Sequence, residues 1–248
     1  MKILVPLKRV PDPDTKIRLT ADGSGLDPDG VKFAINPFDA IALEEALRLR
    51  DQLGAAEIIV VSIGTQDCQE QLRAGLAMGA DRAILVRHEA ELDSLAIAKI
   101  LAALYRRDPP SFVLMGKQAI DDDNNQAGQM LAALLGIGQA TFVSKIALSA
   151  DSATCARETD AGLETVTVTL PAIITADLRL NEPRYVTALG IMKAKKKPLE
   201  EITVADLGVD ATPRTKQLKL ALAPRRSGGT KVKTVDELIQ KLREKKVI

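Results

Sequence analysis

Residues 57–87, EIIVVSIGTQDCQEQLRAGLAMGADRAILVR, decide the fold because they place two short apolar runs on either side of an amphipathic segment. The runs at 57–64 and 82–87 have the length and the β-branched content of buried parallel strands. Residues 66–79 between them follow a helical period and end at a glycine, a common C-terminal stop of helices. A strand, a helix and a second strand in this order predict a right-handed βαβ unit.

The same alternation continues on both sides of this unit. Short apolar runs at 3–7 and 111–118 predict further strands, and helical periods at 36–53, 94–108 and 127–136 predict further helices. The helix at 36–53 begins with Asn-Pro, so we expect the asparagine to cap it and the proline to occupy its first turn.

From Phe142 onward the pattern changes. Residues 154–177, TCARETDAGLETVTVTLPAIITAD, alternate polar and apolar side chains around a glycine turn, as antiparallel strands do. The sequence therefore predicts an α/β fold: a doubly wound, mostly parallel sheet flanked by helices, with an antiparallel addition.

Two regions are expected. Residues 1–189 form a nucleotide-binding α/β domain, and residues 190–248 form an extended C-terminal arm, because regularity fades where the chain becomes basic and rich in proline. The arm ends in an amphipathic segment in which Val235, Leu238 and Leu242 share a helical face. We expect this arm to pack on a partner subunit.

Composition excludes several classes of function. Lysine and arginine total 34 against 33 for aspartate and glutamate, and only 2% of residues are aromatic, so we expect no nucleic-acid binding. Cys68 and Cys155 have no second ligand at metal spacing, which argues against a metal site or a disulfide framework. No apolar run has the length of a signal segment or a membrane span, so we expect no membrane insertion and a cytoplasmic or organelle-matrix location.

The run GKQAIDDDNNQAGQ at 116–129 is the sharpest candidate site, since it joins a predicted strand to a predicted helix at the carboxyl edge of the sheet. Gly116 permits close approach of another group, and the helix N-terminus offers free amides to a phosphate. Three consecutive aspartates repel phosphate unless they face hydroxyls, amides or a cation. The residues alone leave two readings open, a nucleotide site or a solvated acidic turn that caps a helix.

No catalytic set is visible. The Walker A and GxGxxG patterns are absent, and His88, the only histidine, has no nucleophile near it in sequence. Glu44 and Glu45 form a carboxylate pair that we interpret as a solvated helix face. An enzyme is therefore not expected.

Residues 178–198, LRLNEPRYVTALGIMKAKKKP, set apolar side chains in a polar, proline-broken segment before a lysine block. Exposed apolar residues beside lysines suggest a docking loop for an acidic partner. An ordinary loop that packs on its own domain is the alternative.

Several of these motifs resemble the β subunit of electron-transfer flavoprotein: NPFD at 36–39, GKQAIDDDNNQAGQ at 116–129, ADLRLNEPRY at 176–185 and IMKAKKKP at 191–198. The stretch 157–175 is also similar to that family's signature, and the resemblance covers almost the whole chain. It implies a Rossmann-like fold of the adenine nucleotide α-hydrolase-like kind and an electron carrier without catalytic residues of its own. It also implies a heterodimer in which the α subunit holds most of the FAD at the α/β interface and the β subunit holds AMP.

The AMP contacts implied by the resemblance fall at two strand ends, at a helix start and along one loop. They are Pro6, Asn36, Pro37, Phe38, Asp39, Ile63, Gly116, Lys117, Gln118, Ala119, Ile120, Asp121, Asp122, Asp123, Asn124, Asn125, Gln126 and Ala127. Phe38 and the loop 11–15 are expected to approach the flavin. Bifurcating relatives place a second FAD where the others hold AMP, and IDDDNNQAGQ resembles the AMP type.

The family anchors dehydrogenases, such as acyl-CoA dehydrogenases, through an apolar side chain and passes electrons to a quinone oxidoreductase. The family's leucine matches Ala188 here, and Leu189 follows it. The implied docking residues are Arg184, Tyr185, Ala188, Leu189, Ile191, Met192, Lys193 and Lys196, of which the two lysines match residues methylated in some relatives. The implied location is the cytoplasm of a bacterium or the mitochondrial matrix of a eukaryote. The alternatives are a stand-alone AMP- or ATP-binding regulatory protein and an enzyme that uses an adenylate.

Overall fold

A computed structural model describes residues 1–27, 29–54, 56–224 and 228–248. Strands and helices alternate through most of the chain, as the sequence predicts. In chain order they are β1 (Lys2–Pro6), β2 (Arg9–Pro11), β3 (Phe33–Ile35), α1 (Pro37–Leu53), β4 (Glu57–Gly64), α2 (Gln69–Met78), β5 (Arg82–Arg87), α3 (Ser94–Arg107), β6 (Phe112–Gly116), α4 (Ala127–Leu135), β7 (Gly138–Leu148), β8 (Ser152–Thr159), β9 (Gly162–Thr169), β10 (Ala172–Ala176), α5 (Ala188–Ala194), β11 (Leu199–Thr203) and α6 (Val235–Glu244).

Among the described residues, the main sheet has nine strands in the order β11-β5-β4-β1-β6-β10-β7-β8-β9. The strands from β11 to β7 run parallel, and β8 and β9 continue the sheet in antiparallel register. A separate antiparallel pair joins β2 to β3. The predicted doubly wound, mostly parallel sheet with an antiparallel addition is therefore confirmed.

The sequence analysis assigned no strands to the ranges of β2, β3 and β7, and it differs from the structure at two further strands, β10 and β11. β10 belongs to the stretch interpreted as antiparallel, but it lies in the parallel part of the sheet, between β6 and β7. Its five residues are all buried, because both faces of this part of the sheet are covered. β11 lies within the range 190–248 and pairs with β5 at the edge of the main sheet, a strand that the sequence analysis missed.

Neighbouring residues of the central strands point to opposite faces of the sheet. On β1, Ile3 and Val5 join the core beneath α1 and α2, whereas Leu4 joins the core beneath α3 and α4. Helices on both faces explain why the strands are continuous apolar runs rather than alternating ones.

The position of the candidate site follows from the strand order. β1 lies near the middle of the sheet; the chain first adds β4 and β5 on one side of it and then places β6 on the other side. At such a switch point the connections leave the sheet in opposite directions, and a crevice opens beyond the carboxyl ends of the strands. The run 116–129 begins at this crevice.

The described chain divides into two compact units, Met1–Ile17 with Pro28–Gln217 and Arg18–Asp27 with Leu218–Ile248. In the second unit Leu19 bridges Leu26, and no residue of α6 is fully buried. The boundary at 189/190 and the packing of the arm on a partner stay predictions. None of the described helices is long and apolar enough to cross a bilayer.

Candidate functional site

A cleft at the switch point brings most of the predicted nucleotide contacts together. Its wall contains the ends of β1, β4 and β6, the loop 117–126 and the first turns of α3 and α4. The predicted contacts that line it are Pro6, Asn36, Asp39, Ile63, Gly116, Lys117, Gln118, Ala119, Asp122, Asn124, Asn125, Gln126 and Ala127.

Five predicted contacts do not line the cleft: Pro37, Phe38, Ile120, Asp121 and Asp123. Conversely, the cleft contains residues that were not among the predicted contacts, namely Leu7, Lys8, Val61, Ser94, Ile97, Leu101, Met115 and Gly128, of which only Gly128 lies in the predicted run 116–129. Most of these are apolar side chains of the sheet and of α3, which carry no local signal of a site.

Asp39 is buried in the first turn of α1 and ties this helix to two strand ends. Its Oδ2 accepts a hydrogen bond from the backbone N–H of Lys8 at 2.8 Å, and its Oδ1 accepts one from the N–H of Gly116 at 3.0 Å. Burial raises the pKa of Asp39 to about 7, although these hydrogen bonds favour the ionised form. The carboxyl group is thus part of the scaffold of the cleft.

Gly116 is required by the closeness of α1. A Cβ atom at this position would lie 2.7 Å from Cβ of Phe38 and 2.9 Å from its carbonyl carbon. The close approach expected at Gly116 is therefore made by the first turn of α1, in which Phe38 is only 5% exposed.

Asn36 occupies the N-cap position of α1, and Pro37 follows in the first turn as predicted, but the Asn36 side chain makes no capping hydrogen bond. Its Nδ2 donates to the carbonyl of Gln118 at 2.8 Å, and its Oδ1 accepts from the N–H of Ile120 at 3.2 Å. The expectation that this side chain caps the helix is wrong, because the loop 117–126 uses both of its polar atoms.

Lys8 neutralises part of the acidic run. Its Nζ lies 2.8 Å from Oδ1 of Asp121 and 2.9 Å from Oδ2 of Asp122. Burial works to lower the pKa of Lys8, but these two carboxylates outweigh it and leave the pKa above its ordinary value. The third aspartate, Asp123, accepts a hydrogen bond from Nε2 of Gln118 at 2.6 Å. The aspartates are thus paired with a cation and an amide, as a phosphate site would require.

The N-terminus of α4 opens into the cleft. Gln126 at its N-cap makes no side-chain hydrogen bond to the helix, and the first-turn residues Ala127 and Gly128 line the cavity. Uncapped first-turn amides attract anions. Ile63, Leu101 and Met115 contribute apolar surface to the same cleft. An apolar wall and an anion-binding helix end in one cleft suit a nucleotide.

Lys117 lies at the rim and turns toward β10. Its Nζ lies 2.7 Å from Oδ2 of Asp177 and stands over the rings of Phe38 and Phe142, at 5.4 and 4.8 Å from the centroids. This pair joins the end of β6 to the end of β10.

The predicted docking residues occupy a separate segment, residues 184–193, which we call the docking segment. Part of it is the short helix α5, which Thr187 caps by accepting from the N–H of Gly190 at 3.0 Å. Tyr185 is 96% exposed and Leu189 55%, and the exposed set also contains Ala188, Ile191, Met192, Lys193 and, just beyond the segment, Lys196. Lys197 of the lysine block is instead engaged, donating to the carbonyl of Leu76 at 3.1 Å.

Glu44 and Glu45, interpreted from the sequence as a solvated helix face, are buried. Glu44 binds Arg184 and Arg48, and Glu45 accepts from Nδ2 of Asn181 at 2.9 Å. The solvated interpretation is wrong because residues 181–184 cover this face of α1.

We predict that Gly116→Ala destabilises the protein by about 1–3 kcal/mol, because the added methyl group meets the backbone of α1. Urea unfolding measures the change. Gly25→Ala is the control, since a Cβ there would meet no atom of the described residues within 4 Å. Equal stability of the two variants would contradict the required close approach.

The pKa of Asp39 predicts a pH dependence. The pKa of Asp39 is about 7 in the folded chain and 3.8 for the free group. Protonation of Asp39 therefore stabilises the folded state fully below pH 3.8, and this contribution is lost as the pH rises through 7. The free energy of unfolding of the wild type, relative to Asp39→Asn, should therefore fall between pH 5 and 8. Denaturant titrations across this range measure it, and a constant difference would show that Asp39 does not titrate there.

Comparison with known proteins identifies the family. The profile of the electron transfer flavoprotein domain matches residues 25–207. The chain is 54% identical over 243 residues to the electron transfer flavoprotein subunit beta of Bradyrhizobium diazoefficiens, with 98% of each chain covered. It is 53% identical over 245 residues to the mitochondrial subunit beta of Arabidopsis thaliana, again with 98% of each chain covered. It is 49% identical over 248 residues to the human subunit beta, with 98% of this chain and 97% of the human chain covered. The resemblance seen in the motifs is thereby confirmed, and the chain belongs to the β subunits of the electron transfer flavoprotein family.

Proposed function

We propose that this chain pairs with an electron transfer flavoprotein α subunit to form a carrier between dehydrogenases and a quinone oxidoreductase. Acyl-CoA dehydrogenases are the proposed donors. FAD, held mostly by the α subunit at the interface, supplies the redox chemistry when bound, so the chain itself needs no catalytic residues. The proposed location is the bacterial cytoplasm or the mitochondrial matrix, and the Arabidopsis relative is named as a mitochondrial protein.

We propose further that the cleft at the switch point holds AMP. The observation that carries this proposal is the meeting of an apolar wall with the uncapped start of α4. The wall suits an adenine ring, the amides of Ala127 and Gly128 suit the phosphate, and the polar groups of Asn124 and Asn125 suit ribose hydroxyls.

The predicted contacts that do not line the cleft receive supporting roles in this proposal. Asp121 and Asp123 hold the loop through Lys8 and Gln118, and Ile120 is tied to Asn36 through its backbone. Phe38 packs against Gly116, and Pro37 precedes it in the first turn of α1. Since Phe38 is buried, the turn at 11–15, whose Pro13 is exposed, is the proposed contact of this chain on the flavin side.

Nucleotide analysis of the purified heterodimer tests this function. We expect a yellow complex that releases one FAD and one AMP on heating, with both identified by chromatography. Release of two FAD molecules would reassign the chain to the bifurcating type. A colourless chain that binds AMP without any flavin partner would favour a stand-alone regulatory protein, and conversion of the nucleotide would indicate an enzyme.

We predict that Lys8→Met lowers the AMP content of the heterodimer. The charges of Asp121 and Asp122 would then be unpaired beside the proposed phosphate site and would repel the ligand. Lys2→Met is the matched control, because Lys2 pairs with Asp108 at the other end of β1. Full retention of AMP in both variants would place the nucleotide elsewhere.

The docking segment is the proposed contact with dehydrogenases, through Arg184, Tyr185, Ala188, Leu189, Ile191, Met192, Lys193 and the nearby Lys196. Its exposed apolar side chains beside lysines support this role.

We predict that Leu189→Ala slows electron acceptance from an acyl-CoA dehydrogenase and leaves the FAD and AMP content unchanged, because an exposed apolar anchor is lost. Dehydrogenase-coupled flavin reduction measures the rate. Leu163→Ala is the control, since Leu163 is 75% exposed on β9, outside the docking segment. Equal rates for both variants and the wild type would refute the anchor.

A further inference from the structure

A buried carboxylate in the middle of α1 holds the start of the docking segment. Glu44 is only 3% exposed. Its Oε2 accepts from Nε of Arg184 at 2.7 Å and from the backbone N–H of the same residue at 3.2 Å, and its Oε1 accepts from Nη2 at 3.2 Å. Both the direction of the chain and the direction of the side chain are therefore fixed at Arg184.

Arg48, one helical turn further along α1, completes this arrangement. Its Nε donates to Oε1 of Glu44 at 2.8 Å, and its Nη2 donates to the carbonyl of Glu182 at 3.0 Å. Asn181 adds a bond from Nδ2 to the carbonyl of Ile41 at 3.1 Å. Residues 181–184 thus follow the surface of α1 turn by turn.

Glu44 is ionised in this setting. Burial alone would raise the pKa of its carboxyl group, but the hydrogen bonds from Arg184 and Arg48 outweigh it and hold the pKa below its ordinary value. Two arginines around one buried carboxylate satisfy its lone pairs, which is the condition under which a buried charge is tolerated.

The far end of the docking segment is held by a different helix. Gly190 brings α5 so close to α2 that an added Cβ would lie 2.5 Å from the carbonyl oxygen of Ala77. Nη1 of Arg73, also on α2, donates to the carbonyls of Ala194 at 2.8 Å and Lys197 at 2.9 Å. The exposed side chains between Tyr185 and Met192 are therefore presented by a backbone that is held at both ends.

We propose that Glu44 is a positioning residue for partner docking: by fixing Arg184 it holds the docking segment in its binding conformation before the partner arrives. This inference rests on the proposed role of the docking segment. A segment ordered in advance loses less conformational entropy on binding, so Glu44 favours association without itself touching the partner or the flavin.

The test uses the heterodimer with an acyl-CoA dehydrogenase and compares Glu44→Gln, Arg184→Gln and the double variant. The KM for the carrier should rise roughly three- to tenfold in each single variant, while kcat stays within about twofold of the wild type. The double variant should be no worse than the more affected single variant, because both changes remove one interaction. FAD and AMP content should be unchanged.

Glu57→Gln is the control for a general loss of stability, because Glu57 accepts from Nε of Arg82 at 2.7 Å on strands β4 and β5, outside the docking segment. A KM rise of the same size in this control would overturn the inference. An unchanged KM in Arg184→Gln would also overturn the inference. If Glu44→Gln does not fold, Arg184→Gln still gives the test, because the fold tolerates a change at this partly exposed side chain.

The outcome for Leu189→Ala separates this inference from the docking proposal. If Leu189→Ala raises the KM and the Glu44 and Arg184 variants do not, docking at this segment stands and the positioning role falls. If none of the three variants changes the KM, both fall.

Discussion

The buried carboxylate of Asp39 holds the ends of the two central strands, because one of its oxygens binds the N–H of Lys8 after β1 and the other binds that of Gly116 at the end of β6. These strands flank the switch point, and their register with each other ends at Leu4 and Val113, before either strand ends. Fixing both to the first turn of α1 sets the width of the cleft. Gly116 and Asn36 then place the loop above it. The geometry of the site thus depends on the two hydrogen bonds that one buried side chain accepts.

α1 supports two separate functional regions. Its first turn organises the cleft through Asp39 and Asn36, and its middle organises the docking segment through Glu44. A helix of 17 residues behaves as a rigid rod on this scale, so both regions have one common support. The sequence of α1 is therefore constrained by the core, by the cleft and by the contact with residues 181–184.

The elements of the parallel sheet could be predicted because apolar runs and helical periods are local signals, as residues 57–87 illustrate. The strand β11 was missed because LEEIT is half exposed and carries two charges, so it lacks a continuous apolar run. The orientation of β10 was misread for a related reason, since its neighbours in sequence alternate and it does not. Lys8 and Glu44 could not be assigned, because their partners lie 113 and 140 residues away in sequence and only the fold brings them together.

The place of β10 has a consequence for the order in which the sheet assembles. β10 lies between β6 and β7, although both precede it in the chain. During synthesis β7, β8 and β9 can pair as a meander, but they cannot join the rest of the sheet until Ala172–Ala176 has left the ribosome and entered the gap. Such non-local pairing is slow. The edges of β6 and β7 stay unpaired during this interval, when they are open to pairing with another chain.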